Sequence, residues 1–182
     1  MKIRKAVPED IVRISEITEV AWGRYSMARL MEDRYGIIGG KRCWEYKVMD
    51  VKRQCDEALD RVFVAVEDGK VVGYAAFGVD DARKIGHVLN NAVDPEVQGR
   101  GIGTALNRRV LDELKERGMC FAVVTTMEHD LPARRIYEKH GFQEIARSVH
   151  YTMALPAKSL QGAGEIKPIP GQHRGSKGIT HV

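Results

Sequence analysis

The segment Val93-Asp94-Pro95-Glu96-Val97-Gln98-Gly99-Arg100-Gly101-Ile102-Gly103-Thr104 constrains this chain more than any other. A β-rich run ends at Val93, a tight turn follows, and an amphipathic helix is predicted over 102–117. Ala105, Leu106, Val110, Leu111 and Leu114 share one face of that helix, and Arg108, Arg109, Asp112, Glu113 and Glu116 cover the other. Glycines remove side chains where backbone must come close to another group. The first amides of a helix have no internal acceptor and point outward at the positive end of its dipole. Successive amides in such a turn form a nest for an anion. Two readings fit: the turn holds a diphosphate largely by backbone, with Arg100 available for a further phosphate, or the glycines serve only strand-to-helix packing. Other glycine loops are excluded. A P-loop needs Gly-Lys-Ser/Thr in frame. The dinucleotide fingerprint needs G-x-G-x-x-G early in a βαβ unit, whereas Gly99-x-Gly101-x-Gly103 has another spacing and follows antiparallel-type runs.

A second segment, Asp130-Leu131-Pro132-Ala133-Arg134-Arg135-Ile136-Tyr137-Glu138-Lys139-His140-Gly141-Phe142, reads as a short helix ended by Gly141. Ala133, Ile136 and Tyr137 fall on one face at i, i+3 and i+4. That face can aim the Tyr137 phenol at the end of an anion site as a proton donor, or bury it as a packed core tyrosine.

The rest of the chain alternates elements of both kinds. Lys2 to Val7 reads as a strand, and Pro8-Glu9-Asp10 opens a helix with Ile11, Ile14, Ile17 and Val20 at helical spacing. Trp22 to Asp60 is helical in composition and broken at Gly36 and Gly39-Gly40, with a second helix expected from about Lys41 to Leu59. Arg61–Glu67 and Val71–Val79 are strands joined by a hairpin turn at Asp68-Gly69. His87–Val93 and Cys120–Thr126 are further strands, the latter buried, and Phe142–Ile145 and Ser148–Leu155 close the domain as two more. Residues 1–155 are thus expected to form one α/β (α+β) domain. The glycine- and proline-containing stretch 156–182 is expected to be a mobile tail or a subunit-contact arm.

Composition narrows the function classes. The 182 residues are 43% hydrophobic, enough for a core, yet no apolar run approaches the roughly 20 residues of a membrane span. No apolar leader follows Met1, and a cytoplasmic protein is expected. Cys43, Cys55 and Cys120 are odd in number and far apart, so neither a disulfide framework nor a metal site is expected. The net charge of +4 comes from interspersed charges without a basic stripe, which argues against specific nucleic-acid binding and suits a polyanionic small molecule.

Together the two segments resemble the GNAT superfamily of N-acyltransferases. The family's cofactor motif Q/R-x-x-G-x-G/A is matched by Gln98-Gly99-Arg100-Gly101-Ile102-Gly103, and its downstream A-x-x-x-Y-x-x-x-G-F by Ala133, Tyr137, Gly141 and Phe142. The resemblance implies a central mixed, mostly antiparallel sheet of about seven strands with flanking helices. Acetyl-CoA would lie between two splayed parallel strands, here Leu89–Val93 and Phe121–Thr125. It also implies that backbone at Asn91, Ala92 and Val93 pairs with the pantetheine arm, that Gly99 to Thr104 hold the diphosphate, and that Tyr137 lies near the thioester sulfur. The reaction implied is direct attack of a primary amine on the thioester.

Two departures stand out. Many members carry a glutamate on the strand before the cofactor turn, where this chain has His87-Val88-Leu89-Asn90-Asn91. Many carry an asparagine where Asp130 stands. By strand alternation His87 shares a face with Leu89 and Asn91, and it is the first candidate for the base, ahead of Glu128 and His129. The aromatic and basic residues from Trp22 to Trp44, among them Arg24 and Tyr25, would wall the acceptor side in this family. A homodimer through the last strand and tail is a further expectation. The alternative to an enzyme is an acyl-CoA-binding regulatory module of the same fold without turnover.

Overall fold

The computed structural model describes residues 1–22 and 26–155. Strand β1 (Lys2–Lys5) leads through a single 3-10 turn into α1 (Ile11–Ala21), followed by α2 (Met27–Tyr35) and α3 (Cys43–Ala58). Strands β2 (Val62–Glu67), β3 (Lys70–Asp80) and β4 (Ile85–Val93) come next, then α4 (Ile102–Glu116), β5 (Phe121–Val123) and α5 (Leu131–Lys139). The strands form one five-stranded sheet in sequence order, antiparallel from β1 to β4, with β5 parallel to β4.

Both faces of the sheet are covered, and β2 shows why its sequence reads as a continuous apolar run. Phe63 and Ala65 point toward α4, packing with Ala75, Phe77 and Val88 against Ile102, Leu106, Val110 and Leu114. Val62 and Val64 point the other way and join Tyr74 and Ala76 against Ile14 and Ile17 of α1 and Val51 and Cys55 of α3. Each large apolar side chain so buried contributes about 1.5–3 kcal/mol. Buried Tyr74 shares a hydrogen bond of 2.8 Å with Thr18, and burial pushes its phenol up to about 12. Gly86 is there for close approach, since a Cβ would lie 2.6 Å from the Leu114 side chain.

The Asp68-Gly69 hairpin forms as expected, with φ of 48° and 77°. In α1 the buried face drifts: Ile14, Ile17 and Thr18 are buried while Val20 is 61% exposed, because 3.6 residues per turn carries a strict three-residue spacing off the face.

The sheet has five strands rather than about seven. Only Phe121–Val123 of the run 120–126 joins the ladder, and the stretches 142–145 and 148–155 form no strand. Ile145, Val149, Tyr151, Met153 and Leu155 are all more than 60% exposed. Alternation and β propensity mark a segment that suits a ladder, but the strand exists only where a neighbour supplies the hydrogen bonds. The last of these stretches meets α2 instead, through Tyr35 Oη and Thr152 Oγ1 at 2.7 Å. Residues 156–182, expected to be a tail or arm, lie outside the described residues. No described helix is long and apolar enough to cross a membrane, and no group of three or more His, Cys, Asp or Glu among the described residues could hold a metal ion.

Candidate active site

Strand β4 does two jobs at once: it delivers the glycine turn at its end, and it parts from β5 along its second half. Pairing between β4 and β5 runs from Ile85↔Phe121 to His87↔Val123 and then stops, so the two parallel strands splay from there on.

The turn is built to stay in one shape. Asp94 is buried; one carboxylate oxygen accepts the Glu96 amide at 3.0 Å, and the other pairs with Arg13. Arg13 Nε in turn donates to Val71 O at 3.2 Å, which ties the turn to α1 and β3. Gln98 Nε2 donates to Val93 O at 3.0 Å, so the side chain that opens the motif braces the strand end. Gly99 and Gly101 have φ of 81° and 82°, and a Cβ on either would meet nothing within 4 Å. Their backbone conformation demands glycine, and the space in front of them is open. Gly101 is the N-cap of α4 and no side chain caps the helix. The first backbone bond back to it is from Ala105 N at 3.0 Å, which leaves the amides of Ile102, Gly103 and Thr104 without intrahelical acceptors. Gly103 serves packing instead, since a Cβ there would stand 3.2 Å from Ile136 Cδ1; the bare backbone lets α5 lie against the start of α4. The open, uncapped, positive-φ turn fits a diphosphate. Arg100 is ion-paired with Glu67 at 3.0 Å and is the cation beside that turn.

Helix α5 places Tyr137. Asp130 caps it, accepting the Ala133 amide at 3.2 Å on one oxygen and the Thr126 hydroxyl at 3.2 Å on the other. The carboxylate that stands where the family often has asparagine is thus engaged at the helix start. His140 Nε2 lies 2.9 Å from Thr104 O, joining the end of α5 to the first turn of α4. Tyr137 is 8% exposed and packs edge-on against Phe142, with ring centroids 5.8 Å apart. Its Oη lies 3.5 Å from Asn91 Nδ2. Burial raises the phenol's pKa, the Asn91 contact opposes that, and the Asp130 charge reinforces it. The group keeps its proton.

On the other side of the splay lies a cleft of about 380 Å³ between β4, the end of β5 and α3; Trp22, Lys47, Gln54 and His87 supply its polar and aromatic walls. His87 therefore borders the gap, but not on the face expected. Ala75 pairs with Asn91 and Phe77 with Val88, so Leu89 and Asn90 both oppose Ala76 in a β-bulge. The bulge shifts the alternation by one residue. His87 faces the α3 cleft, while Asn91 faces α5 and meets Tyr137. Glu128 is exposed and paired with Arg147, and neither it nor His129 borders the cleft. Of the expected acceptor wall, Trp22 reaches the cleft, whereas Arg24 and Tyr25 lie outside the described residues. Sequence reasoning missed Arg13, Lys47 and Gln54, which enter from helices far away in the chain and carry no local motif.

A model of the Acetyltransferase (GNAT) family matches residues 20–142. Mycothiol acetyltransferase of Thermomonospora curvata is 35% identical over 95 residues, a segment that makes up 52% of this chain and only 32% of that protein. An uncharacterised N-acetyltransferase of Bacillus subtilis is 29% identical over 102 residues, 53% of this chain and 68% of that one. Among solved structures, a Mycobacterium tuberculosis protein in complex with CoA superposes with a TM-score of 0.58 at 25% identity, covering 80% of this chain and 74% of its own. A GNAT family acetyltransferase of Brucella melitensis in complex with acetyl-CoA gives 0.53 at 26% identity, covering 79% and 82%. With the open glycine turn, the splayed parallel pair and a match over most of the domain, the chain belongs to the GNAT acetyltransferase family.

Proposed function

We propose that this protein transfers the acetyl group of acetyl-CoA to a primary amine, with both held together across the splay of β4 and β5. One observation carries the reading: the uncapped, glycine-opened start of α4 and the buried Tyr137 hydroxyl converge on the β4 strand end, one through Val93 and the other through Asn91. Bound acetyl-CoA supplies an activated acetyl thioester. The amides of Ile102 to Thr104 and the turn at Gly99 and Gly101 bind and orient its diphosphate. The β5-side backbone of Asn91 and Ala92 is left without a strand partner by the splay and can take the pantetheine amides as an added strand. Tyr137 holds its proton at Oη and is the donor to the departing thiolate; His87 is the ring placed to take a proton from the acceptor amine. Ala133 stands in the first turn of α5, and Asp130 caps that helix by accepting the Ala133 amide, which sets both at the cofactor end of the gap.

A second reading has one specific observation behind it: among the described residues no carboxylate lines the cleft, so a module that binds acyl-CoA without turnover is the competitor. Calorimetric titration with acetyl-CoA, followed by mass detection of acetylated products over a panel of amines, tests both. Binding with product formation supports the transferase. Binding without any acetylated amine supports the module, and absence of binding removes both.

A further inference from the structure

The cleft contains a cation that the reaction described above does not use. Lys47 lies on the face of α3 that also carries Val51 and Gln54, and it is half-buried. Its Nζ stands 3.9 Å from the centre of the Trp22 ring and donates to Asn90 Oδ1 at 2.6 Å. Asn90 Nδ2 donates onward to Gln54 Oε1 at 2.7 Å. The direction of this chain of bonds matters. Each carbonyl oxygen in it already accepts one bond from within the chain, and the network leaves donors over: further N–H bonds on Lys47 Nζ and the amide nitrogen of Gln54. Among the described residues no carboxylate pairs with Lys47. The acid three residues on along its helix, Asp50, is exposed and bound to Arg53 at 2.9 Å. Burial lowers the lysine's pKa, with the Asp50 charge opposing. The bulge at Leu89 and Asn90 is what brings Asn90 to this side of the sheet.

A half-buried ammonium with no anion beside it is costly unless something completes it. A cleft that holds an ammonium and, among the described residues, no carboxylate repels a polycationic acceptor and attracts an anionic one. We propose that Lys47 Nζ and Gln54 Nε2 form a carboxylate-binding subsite, so that the acceptor is an amine carrying a carboxylate close to the reacting nitrogen, of the α-amino acid class. This rests on the acetyl-transfer reading for the identity of the cleft. It goes beyond that reading in naming what the acceptor must carry. Sites built to pair a polar group discriminate strongly against the analogue that lacks it, because their own groups are then left unpaired.

The test uses a ligand that needs no turnover. N-acetylglycine and its uncharged amide are titrated calorimetrically into the full chain saturated with CoA. The carboxylate is expected to bind at least tenfold tighter than the amide. That difference is expected to vanish in Lys47→Met, to persist in part in Lys47→Arg, and to leave CoA affinity unchanged in both. A Gln54→Leu variant, which removes neither partner of the Lys47–Trp22 contact, provides an independent check, with a smaller loss for the carboxylate alone. Equal binding of the two probes by the wild-type protein, no binding of either, or a preference that survives Lys47→Met, would overturn the proposal. Amine panels read the other claim separately. Acetylation of polyamines in preference to amino acids sinks the subsite while leaving acetyl transfer intact. Probe discrimination with no acetylated amine of any kind leaves the subsite and removes the transferase.

Discussion

The Asn91 amide nitrogen lies 3.5 Å from the Tyr137 hydroxyl oxygen, and this contact links β4 to α5 beside the splay of the parallel strands. Tyr137→Phe keeps the ring packing against Phe142 and removes only the proton. Turnover is expected to fall by roughly 10²-fold, with acetyl-CoA affinity nearly unchanged. Because burial raises this phenol's pKa, the proton stays on past the ordinary value of 10.0. Any alkaline fall in turnover due to its loss therefore has its midpoint above that value in the wild type and is missing in the variant. Steady-state rates across the pH range decide it, and full activity in the variant would take Tyr137 out of the mechanism.

The glycines of the cradle should separate by cause. Gly101→Ala forces a side chain into a left-handed conformation, at φ of 82°, and costs about 1–2 kcal/mol of stability. Gly103→Leu instead runs into Ile136 and Val93 and displaces α5 from α4. Both are expected to weaken acetyl-CoA binding by tenfold or more, but only the second should also slow turnover of bound complex, since it moves Tyr137. Melting curves with calorimetry and single-turnover rates distinguish the two.

Arg100 has Glu67 for a partner at 3.0 Å, with the arginine side chain more than half exposed. A phosphate at the turn competes for it. Arg100→Ala is expected to weaken CoA more than dephospho-CoA, and Glu67→Gln to strengthen CoA by a few-fold by releasing the arginine. Equal losses for the two ligands would rule out contact with the 3′-phosphate.

Glu113 on α4 is buried among Lys5 at 3.3 Å, Arg109 at 2.7 Å and Arg117 at 3.0 Å. Burial pushes its pKa up, but the hydrogen bonds from Arg117 and Lys5 and the Arg109 charge outweigh it, and the net shift is downward from 4.5. The stability it contributes is therefore full above that unfolded value and is lost as the pH falls through the lower folded value. Glu113→Gln is expected to cost about 1–3 kcal/mol at neutral pH. Urea unfolding of the two proteins should converge below the folded pKa; a gap that persists in acid would show that packing, not charge, was lost.

The three thiols should differ sharply toward an aromatic disulfide reagent. Cys120 is exposed, whereas Cys43 and Cys55 are buried, and burial pushes the Cys55 thiol up to about 11. One thiol is expected to react within seconds at pH 8, and Cys120→Ser should abolish that phase. The same phase would add a constant background to any CoA-release assay read with that reagent.

The elements legible in the sequence are those whose cause is local. Asp68-Gly69 specifies a hairpin turn because those residues accept positive φ, and Gly99 and Gly101 specify an open turn for the same reason. Uninterrupted helical spacing marks α4, and Ala133, Ile136 and Tyr137 mark the inner face of α5. Two such motifs at a fixed separation carry the resemblance to the family and the cofactor side of the proposed site.

What the tertiary structure decided depends on pairing between distant segments. The alternating residues of 148–155 suit a strand as well as those of β1 do, yet only β1 finds a partner edge, in β2. Strand alternation put His87 and Asn91 on one face, and a bulge that exists only in the β3–β4 register put them on opposite faces. Asp94 is a turn residue in sequence, but its ion pair with Arg13 of α1 appears only once the sheet is assembled. Lys47 carries no signal at all until α3 packs beside the bulged strand and sets its ammonium between Trp22 and Asn90. Backbone propensity and side-chain period are properties of neighbouring residues and can be read along the chain. Register, edge partners and the company a charge keeps arise from contacts between residues far apart in sequence, so they exist only in the folded molecule.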